Sequence, residues 1–445
     1  MLKRIKVGEL IMQKKAHSQT GPFGTQLKAS DYVNEGTPVI NVRNIGFGDI
    51  RPNQLEYVDE EMSKELKSHK LRKYDIVFGR KGAVERHSLI SSKEEGWIQG
   101  SDCIRLRFLT QDFDPTFISY FFKTEYHKQW MINHGSFGAT MGSLNQEIIS
   151  KIEIPDVPIR TQYKIATILS AYDKLIENNN QRIKLLEEMA EEMYKEWFVR
   201  LRFPGYELAK FFNSKGDEVA QDAIGALPEG WVKMPINSFV NIISGYAFKT
   251  ESFDCEGDYK LVTIKNVQDG YFVTETTDYI HELPKNLKDD CKLKDKDIIL
   301  SLTGNIGRIC MVYGDNYLLN QRVAKLKPKE KYFYEFTYLM FKSRFIRATL
   351  ENLSNGAAQQ NLSPVEMGQL EFPLPDSGTL QGFSTLTSSF FDEIIVLYKK
   401  NQLLQQTRDL LIPRLISGKL SVEHLVEEEE NLSIAAESQH SYGKN

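Results

Sequence analysis

Val39-Ile40-Asn41-Val42-Arg43-Asn44-Ile45 returns later in the chain as Leu261-Val262-Thr263-Ile264-Lys265-Asn266-Val267. Each stretch alternates apolar residues in the period-two pattern of a strand and closes on a cation followed by asparagine. At the same spacing Asp75-Ile76-Val77-Phe78 returns as Asp297-Ile298-Ile299-Leu300, and Gly82 and Arg86 fall on Gly304 and Arg308. A slightly shorter spacing aligns Gly138 and Leu144 with Gly356 and Leu362, and Ile152-Glu153-Ile154-Pro155 with Leu370-Glu371-Phe372-Pro373. Blocks recurring in one order define a repeat of half the chain, and such a repeat determines architecture before any local motif does.

A long helical pattern follows each proline-ended strand. In the first copy Leu169, Tyr172, Ile176, Asn179, Ile183, Leu186, Ala190, Met193 and Trp197 step by three and four residues. In the second, Thr387, Phe390, Ile394, Leu397, Asn401, Leu404, Arg408, Leu411 and Leu415 do the same. Such steps form a heptad seam, and a lone buried asparagine within one fixes register at some cost in stability. Pairing of the two helices is expected through Ile176, Asn179, Ile183 and Leu186 on one and Ile394, Leu397, Asn401 and Leu404 on the other. The alternative is that each helix caps its own domain. From Leu169 to Trp197 a helix is roughly 42 Å long at ~1.5 Å per residue.

The expected fold is α/β (α+β), with two tandem domains and two long antiparallel coiled-coil helices in an internal two-fold repeat. The first domain takes 1–160, the first helix 161–203, a linker 204–226, the second domain 227–378 and the second helix 379–422. An acidic, disordered tail is expected over 423–445, where Glu427 to Glu430 and small polar residues show no periodic face. The chain of 445 residues exceeds one core, and 41% hydrophobic with 26% charged residues describes a soluble globular protein. No apolar run approaches the ~20 residues of a membrane span, so no membrane partner and a cytoplasmic location are expected. The four cysteines lack the close pairs of zinc sites and are expected to be buried free thiols. A net charge of −4 argues against nucleic acid unless the acid is localised. It is, in the tail and in Glu187-Glu188 and Glu191-Glu192.

Gly21-Pro22-Phe23-Gly24-Thr25-Gln26-Leu27-Lys28 and Ser244-Gly245-Tyr246-Ala247-Phe248-Lys249 resemble the openings of the two recognition domains of the Type I restriction-modification specificity subunit. Leu227-Pro228-Glu229-Gly230-Trp231 is similar to that family's entry into its second domain. Tyr194-Lys195-Glu196-Trp197-Phe198-Val199 and Leu411-Ile412-Pro413-Arg414-Leu415-Ile416-Ser417-Gly418 resemble the ends of its helices. The resemblance covers the chain to about Val422. It implies a non-catalytic, sequence-specific DNA-binding subunit whose two target-recognition domains each read half of a bipartite site. It further implies helices that set the spacer and dock two adenine methyltransferase subunits, with two restriction/translocase subunits in the full complex. Those partners, and not this chain, would use S-adenosylmethionine, ATP and Mg. Two other classes stay open: a stand-alone two-domain DNA-binding regulator and a coiled-coil protein-binding scaffold.

The chemistry of an enzyme is missing from the residues. There is no Pro-Pro-aromatic motif to hold a flipped base and no Gly-x-x-x-x-Gly-Lys phosphate loop. Pro155-Asp156 and Pro375-Asp376 each lie between a strand and a helix, where proline stops the strand and aspartate serves the helix dipole. His127 and His134 are read as surface groups.

Candidate DNA-binding residues follow from the repeat. Arg80, Lys81 and Arg86, with Asn305 and Arg308, lie in glycine turns whose N–H groups and cations can follow phosphates. Arg43-Asn44 and Lys265-Asn266 close strands. Arg105 and Arg107, with Arg322 and Lys325, alternate along strands and can present an outward basic face. The small-residue loops at Gly135 to Gly142 and Asn355 to Asn361, with Gln359 and Gln360, allow close backbone approach and amide pairing with adenine. Features shared by the two copies cannot explain why two half-sites differ. Specificity is therefore expected where the copies diverge: Gly46 to Lys70, with Arg51, Asn53 and Gln54, and Gln268 to Lys292, with Tyr271, His281 and Asn286.

Overall fold

The computed structural model describes residues 3–24, 26–138, 141–355 and 361–423. It divides into two units, Met1–Leu175 with Leu404–Asn445, and Ile176–Leu403.

In the first unit the apolar run at 76–79 forms a central strand, Ile76–Gly79, in a five-stranded sheet. The order is Ala16–Thr20, Cys103–Phe108, Ile76–Gly79, His87–Leu89, Phe47–Gly48. Ile76, Phe78, Ile104 and Leu106 pack on Phe117, Phe121 and Phe122 of a short helix. Val77 and Cys103 face the opposite way, onto Ile40 and Ile90. A strand covered on both faces is apolar throughout, so this run does not alternate. A four-stranded sheet lies beside it in the order Tyr32–Val33, Glu56–Val58, Thr37–Ile40, Ile98–Gln99. Its last pair is parallel, with Val39 opposite Ile98. Arg4–Lys6 pairs antiparallel with Glu153–Pro155, which ties the start of the domain to the strand before the long helix.

The second unit repeats this plan. Val240–Ser244, Val323–Pro328, Ile298–Ser301 and Ile309–Met311 form one sheet in that order. Tyr279–Ile280, Tyr259–Val262, Tyr317–Leu319 and Lys292–Leu293 form the other, with Leu261 parallel to and opposite Leu318. Val232–Pro235 closes against Glu371–Leu374. The recurring sequence blocks are thus one topology built twice.

The long helices are α1, Ile159–Tyr194, which ends in a π-helical turn over Lys195–Val199, and α2, Ser377–Ile416. Within the second unit they run antiparallel. Asn179 Nδ2 donates to Asn401 Oδ1 at 2.8 Å, Asn401 Nδ2 donates to Asn180 Oδ1 at 2.8 Å, Arg182 pairs with Glu393, and Trp197 meets Phe383 edge-on. Ile176, Ile183, Ile394 and Leu397 are buried, and Leu186 is partly so. Within the first unit Leu169 packs in the same core as Ile412 and Leu415, and Arg408 binds Asp173. Leu404 is half-buried. Asp376 accepts from the backbone N–H of Thr379 at 3.0 Å and so caps α2. The segment expected to be a linker, 204–226, contains strands: Phe211–Phe212 pairs with both Glu218–Val219 and Leu227–Pro228.

Candidate nucleic-acid interface

The asparagines of the opening motif have work inside the fold. Asn44 and Asn266 are buried. Asn44 Oδ1 accepts from the N–H of Asn41 at 3.0 Å, and its Nδ2 donates to the carbonyls of Arg51 and Asn53 at 2.9 and 3.0 Å. Asn266 does the same with Thr263 at 2.8 Å and with Val273 and Glu275 at 2.9 and 2.8 Å. The strands therefore stop at Ile40 and Val262, and each asparagine clasps the loop that follows. This corrects the expectation that they face DNA. Asn266→Ala is expected to lower stability by about 2 kcal/mol, the cost of stranding buried carbonyls, without changing sequence preference. A thermal melt with motif mapping checks it, and a changed motif at normal stability would reverse the assignment.

The cations before these asparagines remain at the surface. Arg43 is 44% exposed, with Nη2 2.8 Å from Glu56 Oε1 and Nε donating to the carbonyl of Gln54. Lys265 is exposed. Arg51, Asn53 and Gln54 use backbone carbonyls in the clasp, and their side chains are exposed.

The strand cations do not form an outward face. Arg105 is 2% exposed and donates to the carbonyls of Ser68 and Lys70 and to Gln19 Oε1. Burial, with Arg107 nearby, lowers its pKa to about 10. Arg107 forks onto both oxygens of the buried Asp75 at 2.6 Å, and Lys325, which stands at the place of Arg105 in the repeat, holds Asp297, the counterpart of Asp75, at 2.7 Å. The partner carboxylates, Asp75 buried and Asp297 18% exposed, turn these cations into internal ion pairs. Arg322 is exposed.

The glycine turns lie at the surface. Gly82 and Gly304 have φ of 80° and 71°, the left-handed region that glycine enters without strain. Arg80 is half-buried, and Lys81 Nζ lies 3.3 Å from Asp102. The Arg86 guanidinium stands 5.4 Å over the Phe47 ring, with Lys128 Nζ 5.3 Å from the same ring. In the second unit Arg308 donates to Gln268 Oε1, and Arg347 lies 2.7 Å from Asp269. These four residues and the exposed Asn305 line an open groove of about 610 Å³.

The structure thus brings Asn305 and Arg308 together and sets Arg86 in the corresponding place. The sequence reading enclosed Phe47 and Asp269 in its divergent stretches without naming them, and it missed Lys128 and Arg347. Two signals point to them. Gly48 and Gly270 share the spacing of the opening motif, and Lys128 and Arg347 are each the fourth residue of a helix begun by Thr124 or Ser343. Gln359, Gln360, Ala139, Thr140 and the segment from Glu427 to Asn445 lie outside the described residues.

Several other expectations change. His127 is buried and stacked on Phe122 at 4.3 Å, because its helix packs that side on the core. His134 stacks on Trp130 at the surface. Cys103, Cys291 and Cys310 are buried free thiols, but Cys255 is exposed. Among the described residues no cluster of three or more His, Cys, Asp or Glu can hold a metal, and no helix is long and apolar enough to cross a membrane.

Comparison with known proteins agrees with this architecture. The family model described as Type I restriction modification DNA specificity domain matches twice, over residues 24–188 and 228–405. The Type I restriction enzyme MjaIX specificity subunit of Methanocaldococcus jannaschii is 28% identical over 318 residues, covering 69% of this chain and 70% of its own. The HindI specificity subunit of Haemophilus influenzae is 22% identical, over 85% of this chain and 94% of its own. The crystal structure of a Type I S subunit from M. genitalium shares the fold at a TM-score of 0.57 and 17% identity, covering 93% of this chain and 96% of its own. With its domain repeated and a long helix after each copy, the chain belongs to the Type I restriction modification DNA specificity family, as a recognition subunit and not a catalytic one.

Proposed function

We propose that each sheet domain reads one half of a split DNA site, and that α1 and α2 set the unread spacer and dock the modification subunits. The observation that carries this reading is the repeated surface frame: left-handed glycine turn, turn arginine and helix cation occur in both domains, while the residues between them differ. Arg43 and Lys265, which the two copies share, are assigned to phosphates, since a shared cation cannot distinguish two different half-sites, and Arg80, Lys81 and Arg322 are assigned with them. Partners of the required chemistry are duplex DNA, two adenine methyltransferase subunits using S-adenosylmethionine, and two ATP- and Mg-dependent translocating nuclease subunits. The chain itself needs no cofactor.

Mapping methylated adenines in cells carrying this gene with its methyltransferase should return one motif with two specific halves. Four residues inserted after Asn179, matched by four after Asn401, add ~6 Å of helix, or one to two base pairs of spacer. The half-site sequences should stay as they were. An unchanged spacer in an active complex would remove the helices from that role.

A further inference from the structure

The loops that differ most at the surface frame are held in the same way. Gly48 and Gly270 take φ of 97° and 76°. A Cβ at Gly48 would overlap the side chain of Lys123, and one at Gly270 would sit 3.3 Å from Lys342 Nζ. Each lysine is largely buried and reaches a carboxylate on α1. Lys123 Nζ is 3.6 Å from Asp173, and Lys342 Nζ is 3.0 Å from both Glu187 and Glu191. In the second unit Tyr398 of α2 also donates to the carbonyl of Gly270. The two loops are therefore rigid and presented against matching arginines, Arg86 and Arg308.

On this common mount the preceding residues are opposites. Position 47 is phenylalanine, its ring lying within 5.4 Å of the cationic groups of both Arg86 and Lys128. Position 269, its counterpart in the repeat, is aspartate, with one oxygen on Arg347 and its side chain 49% exposed. Position 46 is glycine where position 268 is glutamine. Gln268 accepts from Arg308 and donates one N–H to the carbonyl of Lys265, which leaves a second N–H for a ligand.

We infer that Phe47 in the first domain, and Gln268 with Asp269 in the second, are specificity-determining residues that meet base edges, mounted on the Lys123 and Lys342 struts as positioning residues. A carboxylate repels phosphate, so a DNA-facing aspartate selects a base edge that donates, the amino group of cytosine or adenine. The free amide N–H of Gln268 beside it suits an acceptor on the same or the adjoining pair. Phe47 offers no hydrogen bond and suits the methyl group of thymine. The two domains thus share their phosphate-holding cations and differ where the bases are read.

This inference rests on the split-site reading, and one experiment separates the two. The full methyltransferase complex is assembled with the parent chain or with Gln268→Glu, Asp269→Asn or Phe47→Leu, and modified adenines are mapped by sequencing. Gln268→Glu and Asp269→Asn nearly keep shape, and thermal melts identify any variant that fails to fold. The expected result is a change of about ten-fold in preference at one or two base pairs of one half-site. Gln268→Glu and Asp269→Asn should alter the same half, and Phe47→Leu the other. Unchanged preferences in both halves, with modification weakened equally at every site, would overturn the inference and leave the split-site reading standing. A parent complex that modifies no two-part motif would overturn both.

Discussion

Lowering the pH from 7 to 5 is expected to destabilise the first unit selectively. His127 is buried against Phe121 and Phe122, and burial pushes its pKa down to about 3. His87 is driven well below its usual value by burial, then by the charges of Lys123 and neighbouring His127, with Ser119 opposing and Lys128 adding. His17 and His69 shift the same way, through burial and Arg105. In each case the unfolded chain binds a proton that the folded unit refuses. Stability is complete above the ordinary histidine pKa near 6.5 and falls as the pH drops below it. His127 alone contributes a loss of about 2 kcal/mol at pH 5. The second unit behaves differently, because its one described histidine, His281, is exposed and its partly buried Glu187 and buried Glu335 have raised pKa values, chiefly through burial. A folded state that takes up those protons more readily than the unfolded chain gains stability as the pH falls. Hydrogen exchange at pH 7 and pH 5 should therefore show protection lost in residues 3–175 before 176–403. Replacing His127 with phenylalanine should flatten the dependence. Equal loss in both units would refute the histidine account.

Lys342→Met is expected to cost the second unit about 3 kcal/mol, at the lower end for removing one partner of a buried ion pair. Lys342 and Glu187 are 15% and 19% exposed, so their charges are poorly solvated. Burial lowers the pKa of Lys342, but Glu187 and Glu191 outweigh it and raise the value above normal. The carboxyl of Glu187 is raised by burial even with the lysine present. Without that lysine it takes up a proton more easily, which limits the loss. A Lys342→Met, Glu187→Leu double variant should recover most of the stability, since the carboxylate that then loses its lysine, Glu191, is 35% exposed and reaches water. Thermal unfolding of the four chains in the cycle tests this. A cost below about 0.5 kcal/mol for the single variant would mean that water already reaches the pair.

The same strut explains why the candidate site was only partly legible. Gly82, Arg86, Gly304 and Arg308 could be found because turn residues and their spacing are local properties of the chain. Phe47 and Asp269 lay within the divergent stretches without standing out, since each becomes notable only against an arginine far along the chain, Arg86 for Phe47 and Arg347 for Asp269. Arg105 misled for the converse reason. Period two states that Arg105 and Arg107 share a face, but not what covers it, and here Gln19, Ser68 and Lys70 do.

By itself the sequence determined the repeat, the sheet-and-helix composition of each half, the long helices with Asn179 and Asn401 in their seam, and the absence of motifs for chemistry. All of these rest on periodicity and local backbone preference, which neighbouring residues set between them. Only the tertiary structure decided which polar groups serve the fold and which meet a ligand. Asn44 and Asn266 turned inward because loop carbonyls without water needed donors, Arg107 and Lys325 because the buried Asp75 and the largely covered Asp297 stood beside them. Phe47, Gln268 and Asp269 were left at the surface because rigid, lysine-braced loops hold them there. Burial and pairing at long range are three-dimensional quantities, and the energetic cost of an unpaired buried group selects among roles that a linear pattern leaves equal.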